Sequence, residues 1–229
     1  MNLNHVDIVF QLISFLFAIS FHESAHAWMA NRCGDPTARM LGRITLNPIK
    51  HIDPIGTVLL PAIAAFTHVP LLGWAKPTPV DPRNFKNPVM DDILTSIAGP
   101  ISNFLIAIAS LILPALIGVS SSLGHSLVAN FGLYRMGVFA VPDSPLVPAV
   151  FFLYAMMGIN IVLAVFNLIP VPPLDGSHVL RHFLSDSARR IYDSVGIFGL
   201  IVLVYAGGGV LSALISPPIH FFQWILARL

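Results

Sequence analysis

His22, Glu23 and His26 lie within five consecutive residues, HESAH, inside the first apolar stretch of the chain. On a helix, positions i and i+4 share a face, so both imidazoles project together. That is the spacing two neighbouring ligands of a tetrahedral zinc require. Glu23 stands beside them, placed to take a proton from water at the metal rather than to bind the metal itself. It is the sole glutamate among eleven acidic residues. The plainer reading makes the two histidines polar packing residues of a helix. Ionisable groups are costly in an apolar span and by default mark a functional site, which favours the chemical reading.

Two histidines leave a zinc short, because a catalytic site takes a third protein ligand and a water. The remaining histidines, Cys33 and an intramembrane aspartate are the candidates. Phe166–Gly176, FNLIPVPPLDG, closes another apolar stretch. Its prolines break the helix and leave Asp175 on irregular backbone near the membrane edge, with a carboxylate free to turn inward. An equally weighted alternative makes Asp175 the N-cap of the next helix. His178 and His182 repeat the i, i+4 spacing in a basic stretch without a glutamate, and offer a second metal site or a rival ligand pair. His51 and Asp53 read as turn residues, and His5, His68, His125 and His220 as interfacial ones.

These residues must be carried by membrane helices. The 229-residue chain is 55% hydrophobic and 10% charged, with apolar runs long enough to cross a bilayer. A net charge of +1 without a basic tract gives no reason to expect nucleic acid as a partner. The single Cys33 excludes an intrachain disulfide framework, and the start MNLNHVD lacks the features of a cleaved signal peptide. The pattern predicts an all-α polytopic membrane protein, one domain over residues 1–229. Core segments fall at about 7–30, 91–119 and 146–170, with an extra span at about 194–216. The tail PPIHFFQWILAR reads as interfacial, with a short sixth span as the alternative.

Residues 55–72 are apolar but interrupted by Pro61 and Pro70, and prolines recur through Pro88. If this stretch crosses, the basic loops fall on opposite sides. If it re-enters, the loops bearing Arg39, Arg43 and Lys50, then Lys76, Arg83 and Lys86, then Arg181, Arg189 and Arg190 share one side. Re-entry satisfies the positive-inside tendency and brings Asp175 to the membrane side of the histidines. Irregular backbone at depth needs protein cover or a wet cavity, and a hydrolytic site needs such a cavity.

HESAH, GPISN at Gly99–Asn103 and NLIPVPPLDG at Asn167–Gly176 together resemble the site-2 protease family (M50) of intramembrane zinc metalloproteases, over about residues 8 to 185. The resemblance implies one zinc per chain held by His22, His26 and Asp175, with Glu23 as general base and later proton donor. It implies that Asn167 helps hold substrate or oxyanion, and it gives Asn103 a lower-ranked substrate-binding role. It further implies a three-helix catalytic core, with a membrane-embedded β-type hairpin within residues 40–88 that receives an extended substrate. The expected form is a minimal catalytic core, without an inserted PDZ domain or a C-terminal CBS domain. The expected partners are transmembrane protein substrates and the lipid bilayer. The expected location is a prokaryotic plasma membrane, with the site towards the cytoplasm. Two rival classes are a divalent-cation transporter, which has no need of Glu23, and an inactive scaffold that binds transmembrane helices, which has no need of all four site residues.

Overall fold

The computed structural model describes residues 3–60, 63 and 74–228. Helix α1 spans Leu3–Cys33 and is followed by the short α2, Thr37–Met40. After the 34–87 stretch come α3 at Pro88–Ser120, α4 at Ser122–Ala129, α5 at Phe131–Arg135 and α6 at Leu146–Asn167. The chain closes with α7 at Asp175–Arg181, α8 at Asp186–Ala206 and α9 at Gly208–Ala227. Four of these helices are long and apolar enough to cross a membrane: Ile8–Cys33 within α1, then α3, α6 and α9. The chain is an all-α polytopic membrane protein.

Helices α1, α3 and α6 pack against one another as a three-helix core. Small residues let the backbones approach: Ala18, Ala27, Ala30, Ala98, Gly99, Ala107 and Ala164 are all buried. In hydrocarbon, such close packing and interhelical hydrogen bonds take over the role that water exclusion plays in soluble proteins. Lipid-facing positions keep large side chains exposed, among them Leu12, Leu105, Ile112 and Leu116. Pro100 and Pro114 lie inside α3, where neighbouring helices cover the interrupted turns. Away from the histidines, Leu127, Val128, Val150, Phe151, Met157 and Ile161 form the main apolar cluster.

The 34–87 stretch begins and ends at one end of this bundle. The Lys86 N–H donates to the Cys33 carbonyl, joining the end of α1 to the approach of α3. Trp74 N–H donates to Gly56 O, and Lys76 N–H to His51 O, so the chain on either side of residues 61–73 lies together. Asp53 caps a π-helical turn at Pro54–Leu59 by accepting from the Ile55 and Gly56 amides. His51 and Asp53 are turn residues, as expected. Most of the predicted 55–72 apolar stretch, with His68, lies outside the described residues.

Two expectations need correction. Among the described residues of 40–88 there is no β-ladder. Trp74–Asp81 is extended but irregular, because Pro77 and Pro79 have no N–H to give a paired strand. The extra span is not centred on 194–216. Gly207 separates α8 from α9, Gly196 at φ +46° breaks α8 internally, and α9 rather than α8 is long and apolar enough to cross. The tail thus forms the second half of a helix long enough to cross, in line with the alternative of a further span. Leu200 and Leu211 pack by Ile169 and Leu174 at one end, whereas Phe222 and Leu226 join the cluster of Leu127 and Val128 at the other. Pro217 and Pro218 sit within α9.

A candidate metal centre within the helix bundle

The His22 and His26 rings project from the C-terminal half of α1 at edge-to-face orientation, 4.6 Å apart by centroid. Both residues are buried at 8% exposure. Their Nε2 atoms are 3.0 Å apart. Asp175 reaches them from the first turn of α7, with Oδ2 at 3.1 Å from His22 Nε2 and Oδ1 at 3.4 Å from His26 Nε2. Leu174, not Asp175, occupies the N-cap position of α7, so the capping alternative for Asp175 fails. The three ligand atoms lie within 4.8 Å of one another.

The other ring nitrogens determine what the Nε2 atoms carry. His26 Nδ1 is 2.7 Å from the Thr95 carbonyl, which can only accept, so Nδ1 bears the hydrogen. His22 Nδ1 is 2.6 Å from Asn103 Oδ1. The Asn103 amide is oriented by its own donations, at 3.1 Å to Ala18 O and 2.8 Å to Asn160 Oδ1. Its oxygen therefore accepts from His22. With each neutral ring protonated at Nδ1, two lone pairs face each other across 3.0 Å beside a carboxylate. Asp175 Oδ2 is buried and has no hydrogen-bond donor. Three acceptors converging without a proton are repulsive unless a cation lies between them. The donor set fits a metal, and the Thr95 carbonyl and Asn103 oxygen fix the tautomers that metal ligation needs.

Gly99 on α3 provides room for the pair. A Cβ there would stand 2.4 Å from His26 Nε2 and 2.6 Å from His22 Cε1. Any larger residue would occupy the space in front of the two ligand nitrogens.

A cavity of about 800 Å³ opens beside this centre. Its walls include His22, Glu23, His26, Asn167 and Asp175, and its apolar lining includes Phe15, Ile19 and Leu163. Glu23 Oε2 accepts the Thr78 N–H at 2.8 Å, and the Thr78 hydroxyl donates to the Glu23 carbonyl at 2.9 Å. Asn167 lies at the C-terminal end of α6 with its amide donating to Leu163 O at 3.0 Å.

The structure brings His22, Glu23, His26, Asn167 and Asp175 to one cavity. It places Asn103 elsewhere. This residue is 0% exposed, lies outside the cavity lining, and its amide is fully used on His22, Ala18 and Asn160. His178 and His182 form no second metal cluster among the described residues. Instead both face Asp92, whose Oδ2 is 2.7 Å from His182 Nε2 and whose Oδ1 is 3.7 Å from His178 Nδ1. That carboxylate raises the His178 pKa. Cys33 is buried by Ala30 and Phe85. Sequence reasoning did not find Thr95, Asn160 or Thr78, and named Gly99 only as the start of GPISN, without a role. Of these, only Asn160, a lone amide in an apolar helix, carried a signal of its own.

The family model for Peptidase family M50 matches residues 10–206. The Bacillus subtilis protein YwhC, named as a zinc metalloprotease, is 35% identical over 193 residues, covering 84% of this chain and 77% of YwhC. Rip2 of Mycolicibacterium smegmatis, also named as a zinc metalloprotease, is 25% identical over 229 aligned positions, covering 97% of this chain and 74% of Rip2. No solved structure matches the chain. The match across most of the chain, the level of identity to YwhC and the buried two-histidine, one-carboxylate centre lead to one conclusion: this chain belongs to peptidase family M50 and is an integral membrane metallopeptidase.

Proposed function

We propose that the protein is a zinc-dependent intramembrane endopeptidase that hydrolyses peptide bonds in or near the transmembrane segments of membrane-protein substrates. The observation that carries this reading is the position of the three-ligand centre on a membrane-spanning helix, open to a cavity with apolar walls. His22 Nε2, His26 Nε2 and the Asp175 carboxylate would hold one zinc per chain. When bound, zinc supplies a Lewis acid and brings the pKa of water towards neutrality.

The chain's own groups do the rest. Glu23 has one carboxylate oxygen held by Thr78 and keeps Oε1 for proton work. It accepts a proton as water adds to the scissile carbonyl, and delivers that proton to the departing amine, so the peptide bond is exchanged for an acid and an amine. Asn167 uses one amide hydrogen on Leu163 and offers the other to the carbonyl oxygen of a bound peptide. Within Trp74–Asp81, the amides of Ala75 and Val80 alone have no partner among the described residues. Capture of an unwound substrate by that stretch therefore relies on shape and few hydrogen bonds rather than on a full strand ladder.

All lysines and arginines except Arg135 and Arg228 belong to the end of the bundle that carries the site. The positive-inside tendency puts that end in the cytoplasm, and a prokaryotic plasma membrane suits the reading. The test is cleavage of a reconstituted single-span substrate in liposomes by the zinc-loaded protein and by its Glu23→Gln variant. Cleavage abolished in Glu23→Gln with zinc content retained supports the reading. Absence of cleavage, together with zinc flux that Glu23→Gln leaves intact, would overturn it in favour of a transporter.

A further inference from the structure

Arg43 is a buried cation, 5% exposed, on the loop after α2. Its Nη1 donates to the Lys50 carbonyl at 2.5 Å, and its Nη2 donates to the carbonyls of Lys76 and Pro77, the latter at 3.1 Å. A charge is costly to bury, and a turn can be closed by neutral donors at less expense. The guanidinium needs a reason to be there. The residue after Pro77 supplies one. Thr78 grips Glu23 twice, through its amide to Oε2 and through its hydroxyl to the Glu23 carbonyl. The Arg43 and Glu23 charges also attract one another across this segment.

The surrounding loop reinforces the clamp. His51, fully buried with Nε2 donating to the Thr45 carbonyl at 2.8 Å, offers its own carbonyl to Lys76 N–H. Trp74 lies against Gly56, where a Cβ would stand 2.5 Å from the indole ring, and Thr57 Oγ1 donates to Trp74 O. The 74–78 stretch is thus tied at its start by the 51–57 turn and in its middle by Arg43. Its last residue meets Glu23.

We infer that Arg43 is a positioning residue for Glu23. By fixing the carbonyls of Lys76 and Pro77, it sets the Thr78 amide where that amide holds Glu23 Oε2 and leaves Oε1 facing the cavity. Glu23 would otherwise be a flexible side chain beside the ligands it must not block. The inference rests on the reading of Glu23 as the base. A misplacement of about 1 Å at a proton-transfer group can cost about 100-fold in rate. The loss should fall mainly on kcat, since Arg43 is not among the residues that line the cavity, with only a small rise in KM from loosening the Trp74–Asp81 stretch that does line it.

The experiment uses the purified full chain, zinc-loaded, with a single-span substrate. Arg43→Ala should lower kcat by about 10- to 100-fold, leave KM within about threefold and leave zinc per chain unchanged. Arg43→Lys should recover part of the loss. Hydrogen exchange measured by mass spectrometry should be faster in Arg43→Ala over residues 75–80, whose amides include that of Thr78. Thr78→Ala should lose several-fold in kcat, and Thr78→Ser should restore most of it. Unchanged kcat and exchange in Arg43→Ala would overturn the inference, as would a KM that rises while kcat holds. If Arg43→Ala does not fold, Arg43→Gln decides, since it offers one nitrogen where the guanidinium uses two, and unchanged kcat with unchanged exchange over residues 75–80 there is the overturning result. Glu23→Gln serves as the control: activity surviving there defeats the peptidase reading itself. An inactive Glu23→Gln beside unaffected Arg43 and Thr78 variants defeats only the positioning role.

Discussion

Replacing Asn103 by leucine tests the tautomer argument directly. The side chain is fully buried, so leucine keeps the branched shape and suits the apolar surroundings while deleting one acceptor and two donations. His22 loses the oxygen at 2.6 Å that keeps its hydrogen on Nδ1. The ring is then free to place that hydrogen on Nε2, where it faces His26 and Asp175 and must be removed before any metal binds. Loss of a partner that orients a ligand in this way typically costs about 10- to 100-fold in metal affinity, or about 1.4–2.7 kcal/mol. The fold should survive. Ala18 O sits in mid-helix, and Asn160 still donates to Met156 O at 2.8 Å. The orphaned Asn160 oxygen costs about 1–3 kcal/mol, which the added leucine packing partly offsets. The assay is bound zinc against buffered free zinc in detergent, with a thermal melt of each variant to show that it is folded. A folded Asn103→Leu protein binding zinc within twofold of wild type would refute the reasoning. Asn160→Ala, which removes the carbonyl that orients the Asn103 amide but leaves the Asn103 oxygen beside His22, should show a smaller loss in the same direction.

Gly99→Ala should abolish zinc binding although alanine is the better helix former, because its Cβ would occupy the space before His26 Nε2; retained zinc at full occupancy would contradict the cradle. Wild type should carry one zinc per chain by elemental analysis and Asp175→Ala close to none. Zinc unaffected by that change would mean the third ligand is misassigned. Asp35 is fully buried, and burial alone would raise its pKa, but donors from Thr37, the Asp81 amide and Asn84 prevail and hold its carboxyl below the usual range. Its folded pKa is below its unfolded one, so its stabilisation is complete above about pH 4 and is lost as pH falls through the lower folded value. Asp35→Asn should therefore melt several degrees below wild type at pH 7, with a gap that narrows towards pH 3; a gap independent of pH would show that the carboxylate charge is not what ties the loop.

Much of the centre was legible because its parts are side chains with fixed spacing. The two histidines at i and i+4, the glutamate between them and an aspartate just past a proline-broken helix needed only helix geometry. What supports them was not legible. Thr95 acts through its carbonyl, and a carbonyl is common to every residue. Gly99 acts through the absence of a side chain, and Thr78 acts mainly through its amide. Asn103 was noticed but given a substrate role, since its sequence neighbourhood does not reveal that α1 and α6 seal it from the cavity. The helical core followed from apolar run length. The 194–216 span was misplaced because hydropathy does not register Gly196 and Gly207, where backbone geometry rather than polarity interrupts the run. Among the described residues of 40–88 the expected ladder is absent for a related reason: Pro77 and Pro79 withhold the donors it would need.

The tautomer lock also bears on bioenergetics. A carboxylate and two imidazoles inside a membrane helix are the materials of a proton wire, and such a wire would discharge any gradient the membrane stores. A hydrogen-bond chain conducts only if each link can give up a proton on one side as it gains one on the other. Here the outward links end at the Thr95 carbonyl and at an Asn103 oxygen whose amide is already committed to Ala18 and Asn160. Neither can pass a proton on. The groups that prepare the histidines for a cation also end these two hydrogen-bond chains, so on the side of Thr95 and Asn103 neither ring has a route by which to pass a proton along the bundle.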